Sequence, residues 1–226
     1  MKEPGDPREG DGLERPGIWQ LAFPSILGNL SFTVVGMVQT KFVGELGAQA
    51  LAAVGAGQRV FFAMQAVLIA VSAGTTALVA RAWGAGDRVE ASRVTMASLV
   101  LASAFSVGVM VVGVLFAPSV ASLFGLDPHT LELAAANIRW LSLFNVAFAV
   151  NFILGAALRA SGDAWTPLWI SGVVNLLNIP LLYGLVFGNF GFPRMGVAGA
   201  AIAAGLAFSV GGLILVGLWM KQKFRV

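Results

Sequence analysis

Cysteine is absent from this 226-residue chain, which excludes disulfides and thiol chemistry. The single histidine, His129, lies between apolar runs and cannot supply a His-cluster metal site or a Ser/His/Asp arrangement. Charge is scarce as well: Asp, Glu, Lys and Arg make up 11% of the residues, against about a quarter in a soluble domain. Those charges sit in clusters and leave long uncharged stretches between them. Hydrophobic residues fill 58% of positions, and a stretch of about 20 apolar residues is what a helix needs to cross a hydrocarbon core of ~30 Å. Several such stretches occur in series, so the fold class expected is an all-α, polytopic membrane protein.

A net charge of +3 and a pI near 9.8 do not point to nucleic acid, because the basic residues fall at run ends and the aromatics inside apolar runs. Residues 1–17 are polar, rich in Gly and Pro and mixed in charge, which reads as a disordered cytoplasmic tail. The first apolar run is too long for the core of a secretory signal and lacks a cleavage site, so it is expected to stay as an anchor. Six membrane spans are expected, at about 18–43, 50–79, 92–116, 131–158, 167–187 and 196–220, together a six-helix lobe over 18–220, with a basic cytoplasmic end at 221–226. At 1.5 Å per residue the first span is about 39 Å long, so it tilts or kinks, and Pro24 offers the kink. Ten Lys and Arg fall on the side of the termini (Lys2, Arg8, Arg15, Arg81, Arg88, Arg93, Arg159, Lys221, Lys223, Arg225) and two on the other (Lys41, Arg194). The positive-inside rule then puts both termini in the cytoplasm, with the lobe integral to the plasma (inner) membrane.

Polar groups in hydrocarbon are costly and face other helices or a water-filled cavity. In the first span Asn29, Thr33, Gly36 and Thr40 recur at helical spacing. Gln58, Gln65, Ser72 and Thr76 do so in the second, and Ser171, Asn175 and Asn178 in the fifth, where the next position is Leu182. Each side chain taken alone reads as a helix-to-helix hydrogen bond; three stripes on three spans favour a shared polar cavity. Gly196, Ala200, Ala203 and Ala207 form a small-residue packing stripe on the sixth. Lys41, beside Glu45, is expected to snorkel to the outer interface, and Arg59 either snorkels likewise or lines the outer mouth of a cavity. No carboxylate lies deep within a span, although a proton- or sodium-coupled carrier normally needs one. Gly84-Ala85-Gly86-Asp87 is a turn without the context or the Lys of a phosphate loop, so no catalytic site is expected.

Four segments in order carry a family resemblance. They are Phe42-Val43-Gly44-Glu45-Leu46-Gly47 leading into Ala50 to Gly55; Gly74 to Arg81 with Gly84 to Asp87; Leu158-Arg159-Ala160-Ser161-Gly162-Asp163 with Thr166-Pro167; and Asn178-Ile179 followed by Gly196 to Ala203. Together they resemble the N-terminal lobe of a multidrug and toxic compound extrusion (MATE) transporter, from about Ile18 onward. The resemblance implies twelve spans in two lobes, of which this chain is one, and a central cavity. It also implies antiport of organic cations or other amphipathic compounds against a proton or sodium gradient, with no other cofactor. Where the family often carries an Asp late in the first span this chain has Gln39. Where its proton-coupled branch has an Asp four residues after an Asn, Asn178 is followed by Leu182, and the Thr of the sixth span becomes Ala204. Coupling would then reside in a second lobe.

The expected substrate-cavity residues are Gln39, Asn175 and Asn178, with Asn29, Gln65 and Arg59 as further members. Expected partners are small amphipathic or cationic substrates, the lipid bilayer, and a second six-helix lobe or a second copy of the chain. Two alternatives stand beside multidrug efflux. One is a flippase for a lipid-linked precursor or polysaccharide, whose cavity would carry several basic residues. The other is a non-transporting half-length scaffold.

Overall fold

The computed structural model describes residues 18–223; the tail expected over 1–17 and residues 224–226 of the basic end lie outside them. Seven helices follow one another: α1 (Ile18–Gly44), α2 (Ala48–Gly84), α3 (Arg88–Ser122), α4 (Pro128–Leu143), α5 (Asn145–Ala160), α6 (Trp165–Phe187) and α7 (Gly196–Lys223). Among the described residues every regular element is a helix, and the chain is an integral membrane protein by the length and apolarity of these elements. α2 and α3, with 37 and 35 residues, are roughly 55 and 53 Å long. They exceed the ~30 Å core, so they tilt or project beyond it.

Sequence chemistry ends most of the helices. Gly86 takes φ 78° between α2 and α3, and Gly188 caps α6 at φ 80° in the left-handed region that glycine enters without penalty. Asp87, Asp127 and Asp163 then open the next helices. Their carboxylates accept from the N–H groups of Glu90 (2.8 Å), Thr130 (3.1 Å) and Thr166 (2.9 Å), satisfying donors that have no partner inside the helix. Connections this short make the helices on either side of these turns antiparallel neighbours.

Two helices bend, for different reasons. In α3 Pro118 has no N–H to give to the Val114 carbonyl, and Phe116 leaves helical geometry (φ −109°, ψ 15°). Arg139 on α4 uses the vacancy, its Nε donating to the Val114 oxygen at 3.4 Å. The fourth apolar run, expected as one span over 131–158, is two helices meeting at 48° around Phe144. Neither Pro nor Gly marks that break; the α7 backbone at Gly205 lies against the Phe144 ring. With the bent pair taken as one crossing, the helices make six candidate spans.

α2, α3, α4 and α5 pack among one another, α4 and α5 reach α7, α6 runs along α7, and α1 rests on α6. The core is built of small side chains, Ala50, Ala53, Ala134, Ala200 and Ala203 among them, which let backbones approach. At Gly199 an added Cβ would stand 2.6 Å from the Leu185 carbonyl oxygen of α6. α1 is buried least: 11% of its most apolar window lies inside the chain, against 17% for α2 and for α3 and 50% for α7. Its remaining surface is left for lipid or for another body.

Candidate functional site

α1 leans on α6 and touches α2 much less. The gap so formed, closed behind by α4, α5 and α7, is a cavity of about 810 Å³. Its size is that of a small-molecule site. α1 contributes Gln39, Thr40 and Lys41, α2 contributes Gln58, α4 contributes Asn137, and α6 contributes Asn175 and Asn178. Phe61, Phe148 and Phe208, from α2, α5 and α7, form an aromatic wall, with ring centroids 4.8 and 4.4 Å apart in the two successive pairs. Apolar walls with a few convergent amides are suited to an amphipathic molecule: the rings take its apolar body and the amides fix its polar groups.

The amides are in different states. Asn137 is buried, its Nδ2 donating to the Val197 carbonyl of α7 at 3.2 Å, while its Oδ1 has no hydrogen-bond partner among the described residues. Asn178 is 4% exposed and its Oδ1 is likewise unpartnered. Gln39, Gln58 and Asn175 are half-buried and form no side-chain hydrogen bond among the described residues. A buried amide acceptor without a partner carries a desolvation cost of about 1–3 kcal/mol, which a bound polar group or water can relieve.

Of the six residues expected at a cavity, the structure brings Gln39, Asn175 and Asn178 to this one. The other three stand elsewhere. Arg59 is exposed and absent from the lining, because it sits one residue, or about 100° of helix turn, beyond Gln58. Asn29 is exposed on α1 below the gap, its backbone carbonyl accepting from Thr33 Oγ1 at 3.0 Å. Gln65 is half-buried two turns beyond Gln58, and its Oε1 has no partner among the described residues. Lys41, expected to snorkel to the outer interface, is exposed and borders the cavity, since the wide separation of α1 from α2 exposes a broad face of α1 to the gap.

Leu182 and Ala204 separate in the same way. Leu182 is fully buried in the main apolar core, whereas Ala204 borders the cavity. None of the lining residues is Asp or Glu. Among the described residues no group of three or more His, Cys, Asp or Glu could hold a metal ion. Three amides of the fourth run were not singled out from the sequence: Asn137; Asn145, fully buried with neither side-chain polar atom partnered among the described residues; and Asn151, whose Nδ2 donates to Ala147 and Phe208 carbonyls at 2.7 Å each. They belong to no polar stripe recognised along that run.

A second hollow, of about 990 Å³, lies at the opposite ends of α2, α3, α5 and α7, lined largely by apolar side chains such as Val79, Met96, Leu154 and Leu215. Arg88, Ser92, Arg93, Thr95, Ser161 and Asp163 supply its polar groups.

The family model MatE matches residues 24–184. The chain is 33% identical over 225 residues to the "Probable multidrug resistance protein NorM" of Thermotoga maritima, covering 97% of this chain and 48% of that protein. It is 26% identical over 206 residues to a "FAD transporter" of Shewanella oneidensis, covering 91% and 45%. A solved outward-facing multidrug resistance MATE family transporter superposes with TM-score 0.79 and 28% identity, over 87% of this chain and 43% of that one. The chain spans about half the length of the curated relatives it matches.

Proposed function

The chain belongs to the MatE family, and from that premise we propose that it forms one lobe of an efflux carrier for small amphipathic compounds. The observation that carries the reading is the cavity: amides from α1, α2, α4 and α6 converge, facing an aromatic wall, inside an otherwise apolar bundle. Gln39, Asn175 and Asn178 act as hydrogen-bonding groups for the substrate. They are not proton carriers, because an amide does not titrate in the working range. The thin burial of α1 fits a lobe whose α1 face meets a second lobe or a second copy of the chain.

The carrier runs as an antiporter on a proton or sodium gradient, with the coupling carboxylate outside this chain. Here Leu182 occupies the core, and among the described residues no acidic side chain borders the cavity. Both termini face the cytoplasm, following the excess of Lys and Arg on that side, and the membrane is the plasma (inner) membrane. A flippase for phosphate-bearing lipid precursors would need several basic groups, and this cavity has one, Lys41.

The test is export of fluorescent amphipathic dyes from cells or vesicles holding the protein, under imposed proton or sodium gradients. Gradient-dependent export that is lost in the Asn175→Leu/Asn178→Leu double variant supports the reading. No export under either gradient refutes it. Names within the family range from multidrug resistance proteins to a FAD transporter, so membership leaves the charge of the substrate open.

A further inference from the structure

We propose that this cavity selects ligands bearing a negative charge, with Lys41 as the residue that sets the preference. The inference rests on the transport reading above and deepens it by naming the charge class of the substrate. Among the described residues Lys41 is the single charged side chain on the cavity lining. It forms no ion pair among the described residues, and Glu45, one turn further on, is exposed and does not reach the lining. The other polar groups there, Gln39, Gln58, Asn175 and Asn178 among them, are neutral amides whose N–H groups can donate to an anionic oxygen. The cavity therefore holds one uncompensated positive charge.

Its size makes that charge felt throughout. A volume of about 810 Å³ corresponds to a sphere about 12 Å across, little more than the Debye length of about 8–10 Å at physiological salt. A unit charge about 8 Å from the ammonium, at an effective dielectric near 20, is favoured or opposed by about thirtyfold before salt, and about tenfold is the expectation for an exposed lysine. One feature opposes it, since aromatic faces attract cations. Phe148, however, is engaged on both sides, by Phe61 and by Phe208, so the rings offer mainly an apolar surface. The net preference is for an amphiphile with an apolar body on the aromatic wall and a carboxylate, sulfonate or phosphate towards Lys41.

Two probes of the same shape and opposite charge test this: tetraphenylborate and tetraphenylphosphonium. Equilibrium dialysis against the purified chain in nanodiscs of zwitterionic lipid gives saturable binding, after subtraction of empty discs. The expected result is tetraphenylborate bound more tightly. Lys41→Gln should cut the borate-to-phosphonium affinity ratio about a hundredfold, tenfold from each ion, Lys41→Arg should keep it, and added salt should lower it in the wild type only. Circular dichroism and size-exclusion profiles check that the variants are folded. A ratio unmoved by Lys41→Gln, or a wild type that prefers the phosphonium, overturns the charge preference and leaves the cavity reading standing. If neither ion binds saturably, the cavity reading falls and the inference falls with it.

Discussion

Replacing Asn178 by leucine separates a substrate-binding amide from a structural one. The side chain is 4% exposed and its Oδ1 has no partner among the described residues. Leucine has the same branching and number of side-chain heavy atoms, with bulkier methyl ends, and would sit one turn from Leu182 in apolar surroundings. An unsatisfied buried acceptor costs about 1–3 kcal/mol, although side-chain hydrogen bonds between membrane helices average only ~0.6 kcal/mol. Asn178→Leu is therefore expected to leave stability unchanged or to raise it by about 1 kcal/mol. Ligand binding should weaken about two- to tenfold, the worth of one hydrogen bond of about 0.5–1.5 kcal/mol. The assay pairs thermal unfolding of the purified chain in detergent with ligand dialysis. Asn137→Leu is the contrast, because it removes the donor to Val197 O and should destabilise by about 1–2 kcal/mol. A loss of more than about 1 kcal/mol in Asn178→Leu would refute the reasoning, since it would mean that the amide holds helices together.

Gly199→Ala is expected to destabilise by about 1–3 kcal/mol, because the new Cβ would stand 2.6 Å from a backbone oxygen of α6 that cannot swing aside; thermal unfolding reads it, and an unchanged midpoint contradicts it. At Asp127 the Thr130 hydroxyl and then its N–H donate to the carboxylate and hold its pKa below the usual range. A pKa depressed on folding gives stability that is present above the unfolded carboxylate's pKa and lost as pH falls through the lower folded value. Hydrogen exchange at the start of α4 should therefore lose protection only at the acid end, and Asp127→Asn should remove that pH dependence. The cysteine-free background permits single-cysteine mapping: Ala85→Cys should react with an impermeant maleimide from the cytoplasmic side, and Asn189→Cys from the opposite side. The reverse pattern overturns the proposed orientation.

Much of the architecture is written in local chemistry. Uncharged runs long enough to cross a bilayer, bounded by Gly86, Gly188 and the capping Asp87, Asp127 and Asp163, set the number of candidate membrane crossings and most helix ends. Every backbone group in hydrocarbon must be bonded within its own segment, which makes such runs helical from sequence alone. Periodicity also fixes the phase of a side chain on its own helix, and so Gln39, Asn175 and Asn178 could be singled out. Phase does not say which helix lies opposite. That α1 leans on α6 and stands off α2 brought Lys41 to the cavity, and one residue of helix rotation kept Arg59 out of it. Asn137 and Asn151 gained their roles from carbonyls of α7 some 60 residues away in sequence. The bend at Phe144 arises where the Gly205 backbone meets its ring. These are long-range contacts, decided by how helices pack, and no window along the chain contains both partners.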